Sequence, residues 1–235
     1  SCHEGTTKED TLARMRLGMY AKLREGSAWQ DVAETVKAIT ENNIDTRYAV
    51  LVTDDVHPQT LVKEGHLDRV LRKALQEGVD PITAIQMVTI NTAQCFKLDR
   101  FIGSIAPGRC ADIVFLKNTK LLADVSVEKV MANGVIVAEN NVLKTSFKEF
   151  KYPEYARNTV HLKKKLTEED FKITAPEGKS FVKAHVIEVI EVQAGTIHKV
   201  LDLPVEDGQV PAFPEKDISK VMVRERHGGP GNYAL

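Results

Sequence analysis

Two short runs carry the residue types that hydrolytic chemistry needs. Thr53-Asp54-Asp55-Val56-His57-Pro58 sets two carboxylates, an imidazole and a proline directly after the apolar stretch Tyr48-Ala49-Val50-Leu51-Val52. Such a stretch reads as a buried strand, and in α/β proteins reactive groups collect at the carboxyl ends of strands. The second run, Ser1-Cys2-His3-Glu4, opens the chain. Imidazole and carboxylate groups suit a divalent metal, which lowers the pKa of bound water towards roughly 7 while a carboxylate takes the water's proton. Together the runs suggest a metal-dependent hydrolase. The His/Cys/Cys class of zinc deaminase is excluded, because its Pro-Cys-x-x-Cys signature does not occur.

The composition sets outer limits. In 235 residues, 43% hydrophobic and 28% charged content is ordinary for a soluble globular protein of one large domain or two smaller ones. A formal charge of −1 argues against a general nucleic-acid or membrane-surface role, since both need a basic face. No apolar run approaches the roughly 20 residues of a membrane span, and the polar start with His3, Glu4, Lys8, Glu9 and Asp10 is unlike a signal peptide. Cys2, Cys95 and Cys110 form an odd, widely spaced set without Cys-x-x-Cys, as expected of reduced thiols in a cytoplasmic protein. The chain has no initiator Met and stops just after a Gly-rich turn, so it reads as an internal piece of a longer protein.

The elements that must position the two runs alternate between helix and strand. Thr7 with Asp10 predicts a helix start, and Leu12, Met15, Arg16 and Met19 continue at helical spacing. A strand over 20–23 and a polar turn over 24–27 follow. Ser27 with Gln30 predicts a capping box for a helix with Trp29, Val32, Ala33, Val36 and Ile39 on its apolar face. The strand ending at Thr53 comes next, then a helix over 61–76 with Leu67, Val70, Leu71 and Leu75 inward. Asp80-Pro81 pairs an N-cap with a proline at the first helical position, opening a helix with Ile82, Ile85, Met87 and Val88 inward. Such alternation implies parallel strands joined by crossovers. Beyond 103 the character changes to β: a strand over 111–116, then 127–131 and 135–137 around Asn133-Gly134, a type I′ hairpin signal. Residues 144–178 read as a connecting stretch, and 182–192, 196–203 and 219–226 as strands of a separate α+β domain.

Several of these stretches, taken in order, resemble the adenine deaminase family of the amidohydrolase superfamily. They are His3-Glu4, Arg16-Leu17-Gly18-Met19-Tyr20, Arg24-Glu25-Gly26-Ser27-Ala28, Thr53-Asp54-Asp55 with His57-Pro58, and Glu64-Gly65-His66. Further on come Gly78-Val79-Asp80-Pro81, Ala84-Ile85-Gln86-Met87 and Thr89-Ile90-Asn91-Thr92-Ala93. Gly103-Ser104-Ile105-Ala106-Pro107-Gly108 with Ala111-Asp112-Ile113-Val114 is similar to the β-sandwich strand after the superfamily's barrel, and Glu225-Arg226-His227-Gly228 with Gly231-Asn232 to a C-terminal signature. Two departures stand out: Cys2 occupies a position where the family has Asp, and Gly228 and Pro230 alter a His-rich turn.

The resemblance implies an α/β fold: the C-terminal part of a (β/α)8 barrel over 1–100, β-sandwich strands over 101–145, and a linker with the start of an α+β domain over 146–235. It places His3 after the sixth strand, residues 24–27 after the seventh and Asp54 after the eighth. The His-x-His pair, bridging acid and further His of the earlier strands are not in this sequence. It further implies hydrolysis of adenine to hypoxanthine and ammonia in purine salvage, by a homo-oligomer with a dinuclear site of manganese or iron. His3 and Asp54 are the metal-ligand candidates, and Asp54 is also the candidate proton shuttle. Glu4, Arg24, Ser27, Asp55 and His57 are the substrate-side candidates. Glu4 and Asp55 read equally as loop-shaping acceptors, Arg24 and Ser27 as helix caps. Two other readings stay open: an amidohydrolase acting on a cyclic amide or another aminated heterocycle, and a non-catalytic piece. With most ligands missing, the 235 residues by themselves are expected to be inactive and to bind metal weakly.

Overall fold

The computed structural model describes residues 1–117 and 125–234, so 118–124, inside the expected sandwich segment, lie outside the described residues. Two compact units result: Ser1–Ser146 with Ile190–Gly195, and Phe147–Val189 with Thr196–Leu235. The architecture is mixed α/β. Among the described residues no helix is long and apolar enough to cross a membrane.

In the first unit, α1 (Lys8–Arg16) starts where Thr7 accepts the Asp10 N–H, as its spacing with Asp10 predicts, and ends at Leu17 before Gly18 turns left-handed. Met19 therefore falls outside the helix, against expectation. Next, β1 (Ala21–Arg24) lies parallel to β2 (Ala49–Val52), with Ala21 opposite Ala49 and Arg24 opposite Val52. Cys2 adds a third parallel rung on β1: the Cys2 N–H donates to the Tyr20 carbonyl at 3.0 Å, and the Lys22 N–H donates to the Cys2 carbonyl at 2.9 Å. Three segments thus run side by side and end in the same direction. In β2 Ala49, Val50 and Leu51 are all buried, the unbroken apolar run of a strand covered on both faces.

Between β1 and β2 the expected single helix is two short ones, α2 (Val32–Thr35) and α3 (Lys37–Thr40). The Ser27 capping box is not formed: Gln30 donates instead to the Ser27 carbonyl at 3.2 Å, and Asp31 occupies the N-cap position with its carboxylate engaged elsewhere. The helix expected over 61–76 is also broken. α4 (Pro58–Lys63) and α5 (Leu67–Gln76) meet at Gly65, whose φ of 112° leaves the helical region. Val70, Leu71 and Ala74 of α5 bury against Leu23, Val32, Val36 and Leu51. Asp80 caps α6 (Pro81–Val88) by accepting the Thr83 N–H at 3.0 Å, a contact of ~1 kcal/mol. Here Ala84 and Met87 are buried, whereas Ile82, expected inward, is exposed. From α7 (Ile90–Cys95), the buried Asn91 amide donates to the Thr46 and Ala49 carbonyls at 3.0 Å each.

The later part of this unit is an antiparallel sheet of β3 (Ile113–Leu116), β4 (Val127–Ala132), β5 (Val135–Glu139) and β6 (Val142–Leu143) in that order. Asn133 and Gly134 form the β4–β5 turn with φ of 49° and 79°, the type I′ geometry their identities predict. The second unit centres on the hairpin of β7 (Phe181–Val189) and β8 (Thr196–Pro204), nine pairs long. Leu203, Val210 and Phe213 are its buried core. The strand expected over 219–226 shrinks to β9 (Val223–Arg224), paired with β10 (Tyr233–Ala234).

Candidate functional site

The three parallel segments bring the two chemistry-bearing runs together at one end of the sheet. Arg24, the last residue of β1, is the hub. Its side chain is wholly buried, and Nη1 donates to Glu4 Oε2 at 3.1 Å and to Asp54 Oδ2 at 3.4 Å. Glu4 Oε1 in turn lies 3.1 Å from His3 Nε2. His3 and Asp54, far apart along the chain, are thereby joined through Glu4 and Arg24. Asp54 holds a φ of 59°, a left-handed conformation that Asp tolerates better than most residues and that is concentrated at functional sites.

A loop–loop clamp fixes this mouth. The Asp55 carboxylate accepts the N–H groups of Ser27 (3.0 Å) and Ala28 (2.7 Å) through Oδ2, while Oδ1 is buried and has no hydrogen-bond partner among the described residues. Ser27 Oγ donates to Thr60 at 2.9 Å and accepts the His57 N–H at 2.9 Å. Ser27 thus tethers the loop after β1 to the start of α4 and caps neither flanking helix. His57 sits at the N-cap position of α4 with an exposed side chain. Gly26 is required by close approach: a Cβ there would stand 1.9 Å from Asp55 Oδ1. Of the substrate-side candidates, Asp55 and Ser27 are engaged in loop-holding bonds, and Glu4 and Arg24 in the ion-pair hub.

Two acids that spacing did not mark complete the surroundings. Asp31 is buried and takes the Arg24 Nε–H at 2.6 Å, while Trp29 covers the guanidinium with its ring 4.9 Å away. Glu25 is buried too; desolvation pushes its carboxyl above the ordinary range, against the opposing pull of the Val32 N–H and Arg69. No periodicity flags either residue, because a loop rather than a helix or strand carries them inward. Burial alone would lower the Arg24 pKa, but Asp31 and Glu4 outweigh it and raise it. The Glu4 N–H, 3.4 Å from Cys2 Sγ, holds that thiol below its usual range, with burial opposing and Arg14 assisting.

One guanidinium faces Asp31, Glu4 and Asp54, so the hub carries two formal carboxylates in excess, which favours a cation at the strand ends. His3 and Asp54 are donor types suited to a divalent transition metal. They fit as part of a donor set and not as a whole one, because among the described residues no three His, Cys, Asp or Glu side chains stand where one ion could be held.

The profile of the amidohydrolase family matches residues 19–137. The chain is 52% identical over 230 residues to an adenine deaminase of Clostridium botulinum (strain Langeland), covering 98% of this chain and 38% of that protein. It is likewise 52% identical over 235 residues to one of Moorella thermoacetica, covering 39% of it, and 52% identical over 229 residues to one of Mesorhizobium japonicum, covering 37%. The chain therefore spans well under half the length of these curated relatives. Among solved structures, a β-aspartyl dipeptidase of Fervidobacterium islandicum AW-1 overlays 63% of this chain and 41% of its own with a TM-score of 0.48 at 18% identity.

Proposed function

This chain belongs to the amidohydrolase family, and from that premise we propose that it is part of an adenine deaminase, which hydrolyses adenine to hypoxanthine and ammonia. The observation that supports the proposal is the meeting of Glu4 and Asp54 on Arg24, with His3 against Glu4, at the ends of three parallel segments. Identity of 52% to adenine deaminases along nearly the whole chain supports the choice of substrate.

In this reading the three segments are the last strands of a (β/α)8 barrel, β3 to β6 belong to a β-sandwich, and the second unit begins an α+β domain. Asp54 takes a proton from the attacking water and passes it to the departing amine. His3 and Asp54 would hold a divalent metal, manganese or iron, in a dinuclear centre whose other donors come from the rest of the protein. Bound there, the metal would supply a water whose pKa is lowered towards about 7. His57 offers an exposed imidazole at the mouth, and Glu4 a carboxylate beside His3. Arg24 acts on the substrate side by holding the Glu4 and Asp54 carboxylates in place from its buried position. Ser27 and Asp55 support the pocket by clamping the loops. A cytoplasmic homo-oligomer acting in purine salvage completes the proposal.

The test is ammonia release by the full-length protein from adenine, set against adenosine, guanine and dihydroorotate. Release from adenine alone is expected. Turnover of dihydroorotate without turnover of adenine would move the protein to another branch of the family.

A further inference from the structure

Nothing about the reaction requires an acid seven residues beyond Arg24, yet the structure builds one in. Asp31 meets Arg24 twice: its N–H donates to the Arg24 carbonyl at 3.1 Å, and its Oδ2 accepts the Arg24 Nε–H at 2.6 Å. Both side chains are withdrawn from solvent, at 0% exposure for Arg24 and 3% for Asp31. The loop between them is closed by the Gly26 N–H on the Trp29 carbonyl at 2.7 Å, which lays the Trp29 ring over the guanidinium. A guanidinium is a rigid planar fork, so gripping Nε fixes where Nη1 and Nη2 point. Nη1 is the atom shared by Glu4 and Asp54.

We propose that Asp31 is a positioning residue: by fixing the Arg24 fork it sets the placement of the Glu4 and Asp54 carboxylates. It touches neither substrate nor metal. The role in turnover rests on the adenine deaminase reading; the geometric role does not. Asp31 earns its place because a free Arg24 could rotate about its last bonds and abandon one of the two carboxylates. A group of this kind, one step removed from the reacting atoms, is commonly worth about 10- to 100-fold in activity.

Two measurements test this and separate its failure from that of the deaminase reading. In the full-length protein, Asp31→Asn keeps the size and one acceptor but loses the charge. Its kcat on adenine should fall about 10- to 100-fold with KM within about 3-fold, and Asp31→Glu should recover part of the loss. In the 235-residue chain Trp29 is the sole tryptophan, so its emission reports on the guanidinium directly. Asp31→Asn should shift that emission, and an arginine Nε–H protected from solvent exchange in the wild-type chain should lose its protection in the variant. An unchanged kcat, or a loss matching only the unfolded fraction with Trp29 emission unaltered, overturns the proposal, as does a pattern of protected Nε–H groups that Asp31→Asn leaves unchanged. A wild-type enzyme inactive on adenine would remove the deaminase reading, and the Trp29 and exchange data would still decide the role of Asp31.

Discussion

Asp54 Oδ2 stands 3.4 Å from Arg24 Nη1, so the acid after the last parallel strand is held by the basic residue that ends its neighbour. Asp54→Asn keeps the shape and the left-handed backbone while removing the charge that would accept a proton. In the full-length protein, ammonia release from adenine should fall at least about 100-fold, the lower end of what general-base removal costs. Near-normal turnover would place the proton shuttle elsewhere.

Gly26→Ala should be costly although the position lies in a loop. Its new methyl would overlap the Asp55 carboxylate, which is pinned by the Ser27 and Ala28 N–H groups and has little room to retreat. A loss of about 1–3 kcal/mol is expected, the usual range for overpacking, read as a lowered urea midpoint at constant slope.

Burial raises the Glu25 carboxyl above its ordinary 4.5. The folded state therefore holds this proton more tightly than the unfolded chain. The stability linked to it is fully present below about pH 4.5 and is lost as pH rises through the raised folded value. Glu25→Gln removes the penalty, so the Tm of the variant minus that of wild type should increase from pH 4 to pH 7. A difference flat with pH would mean Glu25 is not burdened by burial. Asp68 works in the opposite sense: burial would raise it, but Arg72 and the His66 N–H lower it, and its contribution fades at acid pH.

Metal retention by the 235-residue chain should be poor. Because His3 and Asp54 are only the proposed part of a donor set, dialysis against manganese followed by gel filtration should leave far less than one ion per chain by elemental analysis. Stoichiometric retention would show a donor set complete within these residues.

Some of this was legible in the sequence because it is local chemistry. Thr7 and Asp80 accept from the third residue of their helices, and Asn133-Gly134 turns where its conformational freedom allows. The apolar run before Asp54 sufficed to find β2. Other features were hidden because distant partners decide them. Asp31 could not be told from an ordinary loop acid until Arg24 came within 2.6 Å, and the expected Ser27 capping box gave way to the bonds that Ser27 Oγ makes with Thr60 and the His57 N–H. The break at Gly65 was obscured by an apolar periodicity that continues across it.

The left-handed backbone at Asp54 also governs how mutational data from this site will read. Asparagine and glycine can occupy a φ of 59° at little expense, whereas valine or isoleucine must fight their own β-carbon branches. A saturation library at this codon would therefore sort first by tolerance of the turn and only then by reactivity. Abundance and activity need separate scores there, or a folding defect will pass for a chemical one.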